Sequence, residues 1–367
     1  MLERPQYIAS EIYRHSTYGG THPLSIPRVS TVTDLIHALG WMGEGQYHDS
    51  PVATPDQLAR FHDRSYIEAL WRAERDGDLP EDEKQRYHLG INGNPIHPTV
   101  FRRPATACGA SIHAAGLLRD GGIVHSPAGG THHGRPGQAS GFCFFNDPVL
   151  AILGLLDQGL ERIAYVDVDA HHGDGVQDAF EDEERVLTLS IHEEKRWPRT
   201  GAADDRAGGM ARNMPVPSQL NDDEFLYLLD TVILPLVSEW EPQAVVLQGG
   251  CDGLADDPMS RMGLSNRALW QTVRSLKPVA PRFLCLGGGG YNPWAVARCW
   301  AGYWAILNDL EIPSQLPEDA QSVLSGLRWS HRLGRNPPAH WMTTLADEPR
   351  YGTIRQEIRA IARTVMQ

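Results

Sequence analysis

Four short segments of this chain concentrate residues that hold metal ions or move protons. They are Gly129-Gly130-Thr131-His132-His133-Gly134, Asp167-Val168-Asp169-Ala170-His171-His172-Gly173-Asp174, Gly249-Gly250-Cys251-Asp252 and Gly287-Gly288-Gly289-Gly290-Tyr291. Asp169 and His171 stand two apart, so at the end of a strand both side chains turn to one face. Asp252 would complete a set of two carboxylates and one imidazole. Three protein ligands leave a position open for water, the pattern of a catalytic rather than a structural zinc site. Zinc suits such donors, and so do Fe(II) and Mn(II), because hard oxygen ligands dominate. Asp167 and Asp174 remain as outer acceptors that would fix histidine tautomers.

Adjacent histidines suit amide hydrolysis. Metal-bound water needs a base and the leaving amine an acid, and an imidazole near neutral pKa does both. The glycine run 287–290 makes a loop without side chains and presents Tyr291 as a neutral donor to a developing oxyanion. It lacks G-x-x-x-x-G-K-[ST] and the spacing of G-x-G-x-x-G, which disfavours a nucleotide site. Any one His or Asp is more often a satisfied core residue, a turn or a cap. The argument for chemistry is their combination at strand-to-loop junctions.

Those junctions require strands. Ile163 to Asp169 is nearly continuous in apolar character, as a strand buried on both faces should be. Gln243 to Gln248 and Arg282 to Leu286 read the same way, and Gly122 to His125 is a weaker strand. Asn221 and Glu224 have capping-box spacing. Phe225, Leu228, Leu229, Val232 and Leu236 follow as one apolar helix stripe, with Pro235 as a kink. Ser265 to Lys277 and Pro293 to Leu310 are further helices. Ile354, Ile358, Ile361 and Val365 recur at helical spacing, and Arg355, Arg359 and Arg363 mark another face, read as solvated. Strand, loop and helix alternate. This predicts an α/β fold, a parallel sheet with helices on both faces, whose ligands bind beyond the carboxyl ends of the strands. No linker-like stretch divides the chain, so residues 1–367 read as one domain, with 311–352 as a Pro- and Arg-containing wrap.

Composition narrows the function classes. The 367 residues are 41% hydrophobic and 22% charged, which argues against a disordered or fibrous chain. A net charge of −13 repels phosphate backbones, so nucleic acid is a poor partner and a cationic substrate a better one. No apolar run approaches the roughly 20 residues of a membrane span. The start, Met-Leu-Glu-Arg-Pro-Gln, lacks the basic-then-apolar pattern of a signal peptide. Cys108, Cys143, Cys251, Cys285 and Cys299 are scattered, odd in number and without C-x-x-C. Disulfides and a thiolate zinc cluster are therefore not expected, and a cytoplasmic location is. A homo-oligomer stays open.

Gly-Gly-Thr-His-His-Gly (129–134), Ala-Ser-Gly-Phe-Cys-Phe-Phe-Asn-Asp (139–147), Tyr-Val-Asp-Val-Asp-Ala-His-His-Gly-Asp-Gly-Val (165–176) and Leu-Gly-Gly-Gly-Gly-Tyr (286–291) resemble the histone deacetylase family. The nearer likeness is to its class-I-like bacterial branch, which includes acetoin utilisation proteins and is related to acetylpolyamine amidohydrolases. It runs in order from about residue 20 to 305. The resemblance implies the arginase/deacetylase fold and zinc-dependent removal of an acyl group from an amine, with Fe(II) as an alternative metal. By motif position, Asp169, His171 and Asp252 would bind the metal, and His133 would be general base and then acid. His132 would stabilise charge, and Tyr291 would polarise the scissile carbonyl. Asp167 would back His132, and Asp174 would back His133. Arg28, in Ser-Ile-Pro-Arg-Val-Ser, falls where the family has an arginine deep in an internal acetate cavity. Asp167, Asp169, His171, Ser190 and Ile191 would surround a structural potassium ion, with a second monovalent site near Phe180 and Val186. Phe142 and Trp197 match the aromatic walls of a substrate tunnel, together with Gly141 and Gly289, and Met259 falls at its rim. The implied substrate is a small cationic acylated amine or an acetyl-lysine side chain of a protein.

Three places depart from the family pattern. Where its protein deacetylases carry a peptide-clamping aspartate, Asn92 or Gly93 stands here. Thr131 replaces a bulkier apolar residue, and Trp197 is larger than the usual phenylalanine. Two other functions compete. A ureohydrolase of the same fold needs two bridged metals, but Gly173 and Gly250 stand where the second would want acids. A non-catalytic acyl-amine binding protein would have lost a ligand, the histidine pair or the tyrosine, and all are present.

Overall fold

The structure is a computed structural model describing residues 2–15, 18–20 and 22–367. Eight strands form one sheet: β1 (Gln6–Ala9), β2 (Tyr47–Asp49), β3 (Gly122–Ser126), β4 (Ile163–Asp167), β5 (Val186–Glu193), β6 (Ala211–Val216), β7 (Ala244–Gln248) and β8 (Arg282–Leu286). Their order is β2-β1-β3-β8-β7-β4-β5-β6, and every pairing is parallel. The four strands that carry the chemical segments, β3, β8, β7 and β4, are therefore neighbours at the centre. Their ends are level: Ser126 pairs with Leu286, and Asp167 with Gln248. The four loops leave the sheet along one rim.

Strand alternation divides the core into two faces. Ala164, Val166, Val245, Leu247 and Phe283 belong to the cluster covered by helices Val29–Ala38, Asn266–Leu276 and Pro293–Leu307. Ile163, Tyr165, Val246 and Leu284 belong to the cluster covered by Arg102–Leu117 and Asp147–Leu156. A third cluster, with Tyr66, Phe144 and Phe145, holds no strand residue and packs under the loops, where it includes Tyr291. The helix Pro293–Leu307 is buried at all fifteen positions, because the C-terminal segment covers the side turned from the sheet.

Several elements differ from the sequence-based expectation. β1, β2, β5 and β6 were not anticipated. The helix starting after Asn221 has the expected capping box, but it runs Asp222–Leu228, widens into a π-turn over Leu229–Ile233 and resumes as Leu234–Trp240. The wide turn accommodates Pro235, which has no N–H for the helical ladder. The helix expected to reach Leu310 ends at Leu307, with Asn308 as its cap. The 311–352 segment contains two short α-helices, Glu318–Ser325 and His340–Thr343, and a 3-10 turn, Arg332–Gly334. The basic row is not simply solvated. Arg355 grips Glu224 through Nε (2.6 Å) and Nη2 (2.7 Å), Arg359 lies over the Tyr227 ring, and Arg363 is exposed. Long cationic stems cover apolar surface while their heads find partners, which spacing alone does not reveal.

Candidate active site

Asp169, His171 and Asp252 meet beyond β4 and β7. One ligand atom from each lies within 4.8 Å of the others, and all three residues are buried. His171 Nδ1 is 2.8 Å from Asp252 Oδ2 and 3.2 Å from Asp169 Oδ1. Main-chain N–H groups hold the carboxylates: Gly289 donates to Asp169 Oδ2 (2.7 Å) and Ala170 to Asp252 Oδ1 (2.8 Å). Glycine at 289 is a packing requirement, since a Cβ there would collide with Asp252 Oδ2. Two buried carboxylates sharing one imidazole leave a negative charge unbalanced, which costs free energy unless a cation joins them. The donor set fits a divalent ion.

The histidine pair lies beside this cluster, with ring centres 3.9 Å apart. His132 Nδ1 donates to Asp167 Oδ2 (2.8 Å), which also accepts from the Tyr165 hydroxyl (2.9 Å). His133 Nδ1 donates to Asp174 Oδ1 (2.7 Å), and Arg135 pairs with the other Asp174 oxygen. The surroundings drive the two imidazoles apart. Burial alone would lower His132, but the charges of Asp167 and Asp169 outweigh it and hold it up at about 9. Burial, then the His132 charge, pushes His133 down to about 3 against the pull of Asp174. Carboxylate backing at Nδ1 leaves both Nε2 atoms turned away from the backing acid, and in the neutral His133 it fixes the tautomer.

A cavity of about 570 Å³ opens onto these groups. Its lining includes His132, His133, Asp169, His171 and Tyr291, with Gly141, Phe142, Trp197, Met259 and Gly289. Phe142 sits at φ 67°, a left-handed conformation unusual for an aromatic residue. Asn94 Oδ1 accepts from its N–H at 2.9 Å. Trp197 is 45% exposed and meets the His133 ring edge-on at 4.6 Å. Gly141 lies so close to Trp197 that a side chain there would strike the indole. Asn92 and Asn94 also line the cavity, and Gly93 abuts Phe142. Arg28 also lines the cavity, its Nη1 donating to the Gly288 carbonyl (2.7 Å) and its guanidinium covering the Trp300 ring at 5.4 Å.

Of the residues expected around potassium, Asp167 accepts from the Asp169 N–H (3.0 Å) and Asp169 from the His171 N–H (3.0 Å). Asp167 and Ser190 pair in register and line a small cavity of about 10 Å³. Ser190 Oγ bonds His192 Nδ1 (2.9 Å). Asp169, His171 and Ile191 do not line that cavity, and Phe180 and Val186 lie in the apolar core.

Other residues that shape the site carried no assigned role in the sequence. Asp147 is buried and accepts from the N–H groups of Gly130 (3.1 Å) and Thr131 (2.8 Å) and from the Ser111 hydroxyl (2.6 Å). Asn146 Nδ2 donates to the His132 (3.3 Å) and Gly134 (3.0 Å) carbonyls while its Oδ1 caps the next helix. Gln248 Nε2 donates to the Gly130 carbonyl at 2.8 Å. The signal for Asn146 was local: a capping residue two before Pro148 and an apolar run. Asn94 and Gln248 had none.

The histone deacetylase domain family matches residues 22–307. Similar proteins include Histone deacetylase 9 of Arabidopsis thaliana, 36% identical over 82% of this chain and 72% of that one. Histone deacetylase 8 of Xenopus tropicalis is 34% identical over 79% and 80%, and the acetoin utilization protein AcuC of Bacillus subtilis 30% over 85% and 84%. The crystal structure of an HDAC homologue from Aquifex aeolicus superposes with a TM-score of 0.94 at 33% identity, covering 100% of both chains. An HDAC homologue complexed with SAHA gives the same values. This chain belongs to the histone deacetylase family. Its eight-stranded parallel sheet is that of the arginase/deacetylase fold, and its relatives place it among deacetylase-type hydrolases.

Proposed function

We propose that this protein is a zinc-dependent deacetylase that hydrolyses the amide of an N-acylated amine, of which an acetyl-lysine side chain is the best fit. The observation that carries the proposal is the meeting of Asp169, His171 and Asp252 with the His132–His133 pair at one cavity wall. A zinc or ferrous ion held by those three residues would supply Lewis-acid polarisation and acidify a water molecule. The protein's own groups do the rest. His133, kept neutral, takes a proton from the attacking water at Nε2 and later delivers it to the leaving amine. Asp174 keeps that tautomer in place. His132, held protonated by Asp167, sets positive charge beside the site. Tyr291 donates its hydroxyl to the carbonyl oxygen as negative charge grows there. Phe142 and Trp197 flank the methylene stem and exclude water, while Arg28 marks the end of the cavity toward which the acyl group points. Asp167, Asp169, His171, Ser190 and Ile191 would hold a structural potassium ion, with a second near Phe180 and Val186.

Charge within the cavity favours lysine over polyamine. Asp169 is its only carboxylate among the described lining residues, so a second ammonium along the substrate meets no partner. Steric crowding supports a single metal. A side chain at Gly173 would collide with Asp167, and one at Gly250 with Asp169, which leaves no room for the extra acids of a ureohydrolase.

The test is acetate release by metal-loaded protein from acetyl-lysine peptides and acetylated polyamines. Preferential release from the peptides is expected. Urea release from arginine or agmatine, with two metals per chain, would replace the proposal with the ureohydrolase reading. Binding of acetylated ligands without turnover would make the chain a binding protein.

A further inference from the structure

The loop that delivers Tyr291 is weakly constrained by its own sequence. Gly288 and Gly290 sit at φ 144° and 148°, in space open mainly to glycine. Four successive glycines pay a high entropic cost on ordering, so the placement of the next residue depends on outside contacts. Residues 256–259 provide them. Asp257 is 5% exposed, and its Oδ2 accepts from the Tyr291 N–H at 2.6 Å. Its Oδ1 accepts from the Met259 N–H at 2.9 Å. One residue earlier, the Asp256 carbonyl accepts from Asn292 Nδ2 at 3.0 Å. Asn292 Oδ1 in turn caps the helix Pro293–Leu307, accepting from the Trp294 N–H at 3.1 Å. Met259 is tied onward, since its carbonyl accepts from Arg196 Nη1 at 2.8 Å, next to Trp197. One buried carboxylate thus joins the main chains of two cavity residues, Met259 and Tyr291.

We propose that Asp257 is a positioning residue for hydrolysis, setting the distance and angle at which Tyr291 meets the substrate carbonyl. It acts through the Tyr291 main chain rather than by touching substrate. The assignment rests on the deacetylase function proposed above. The competing explanation is a carboxylate that merely closes the 254–259 turn, to which its own N–H also contributes by donating to the Leu254 carbonyl at 3.0 Å.

A double-mutant cycle on the full, zinc-loaded chain separates the two. Asp257→Asn keeps the shape of the side chain but turns an amide NH2 toward one of the two N–H groups. With an acetyl-lysine peptide, Asp257→Asn should lower kcat by about tenfold to a hundredfold, since a displacement of about 1 Å suffices. KM should change by less than about threefold. In the Tyr291→Phe background, the same substitution should cost less than about threefold, because the hydroxyl it positions is already gone. An equal fold loss in both backgrounds overturns the proposal, and so does an unchanged kcat. Asp257→Glu, which keeps both acceptors but is longer by a methylene, repeats the cycle if the Asn variant fails to fold. Failure of both variants to fold, read by thermal melting, would make Asp257 purely structural and overturn the proposal. Wild-type protein that releases no acetate would remove the deacetylase function instead. An active wild type with an additive cycle removes only the role of Asp257.

Discussion

Two regions of this molecule bury charge in opposite ways. Beyond β4 and β7, the carboxylates Asp167, Asp169, Asp174 and Asp252 are crowded against the imidazoles of His132, His133 and His171. Where the C-terminal region packs, Glu224 is fully buried and gripped through side chain and main chain alike by Arg355, the residue just before a helix whose Ile358, Ala362 and Val365 face the core. The C-terminal pair closes on itself. The rim does not, because two of its acids share one imidazole. Charge that is balanced internally stabilises a fold, whereas charge left short of a counter-ion marks a place for a ligand. Substitutions at the rim should therefore change chemistry more than stability, and substitutions in the C-terminal region the reverse.

The largest contrast should come from His133→Ala. Turnover of an acetyl-lysine peptide should fall by about a hundredfold to ten-thousandfold, as loss of a general base does. Bound zinc, measured by atomic emission, should stay near one per chain. Metal loss as the main effect would make His133 a ligand. Next is the metal itself. Zinc returned to chelator-treated protein at about a thousand times its dissociation constant should add about 4 kcal/mol of stability in urea melts. A flat response would mean that the rim does not hold the ion in the folded state. Tyr291→Phe should keep the metal and lose about a hundredfold in kcat, the usual effect of removing an oxyanion donor. Unchanged turnover would refute the role given to its hydroxyl.

The C-terminal region should answer in the other currency. Arg355→Ala leaves the buried Glu224 carboxylate without its cation and should cost about 2–3 kcal/mol of stability. Its kcat should stay within about twofold of wild type. A large loss of turnover at unchanged stability would erase the distinction between the regions. The smallest effect is in pH. Burial works to raise the Glu224 carboxyl, but Arg355 outweighs it and holds the group below its ordinary value. A lowered native pKa gives stability that is full above the unfolded value, about 4.3, and is lost as pH falls through the native one. The stability gap between wild type and Arg355→Ala should therefore be constant near neutrality and shrink in acid. A gap that persists at the acid end would show that the Arg355 contribution is packing rather than charge.

How much of this was legible in the sequence follows the same division. The rim loops announced themselves because their chemistry is local: Asp169 and His171 are two apart, His132 and His133 adjacent, and the glycines contiguous. β4, β7 and β8 were readable as short apolar runs. β5 was not, because Thr188, Ser190, His192 and Glu193 interrupt the pattern although every position is buried. Ser190 bonds His192, His192 reaches the Gly201 carbonyl and Glu193 accepts from the Arg261 N–H, which makes that burial tolerable, and single-strand periodicity carries no trace of such partners. β1 and β2 span only four and three residues, too short to show a period. Asn94, Gln248 and Asp257 act through contacts remote in the chain, so no spacing rule points to them. Within the C-terminal arginine row, Arg363 is exposed as expected, whereas Arg355 was misread as solvated for the same reason: its partner is 131 residues away.

The most direct test is acetate released from an acetyl-lysine peptide as zinc is titrated into metal-free protein. Activity should rise in proportion to metal and level off at one ion per chain. No acetate at any loading, or a plateau only at two ions, would contradict the account.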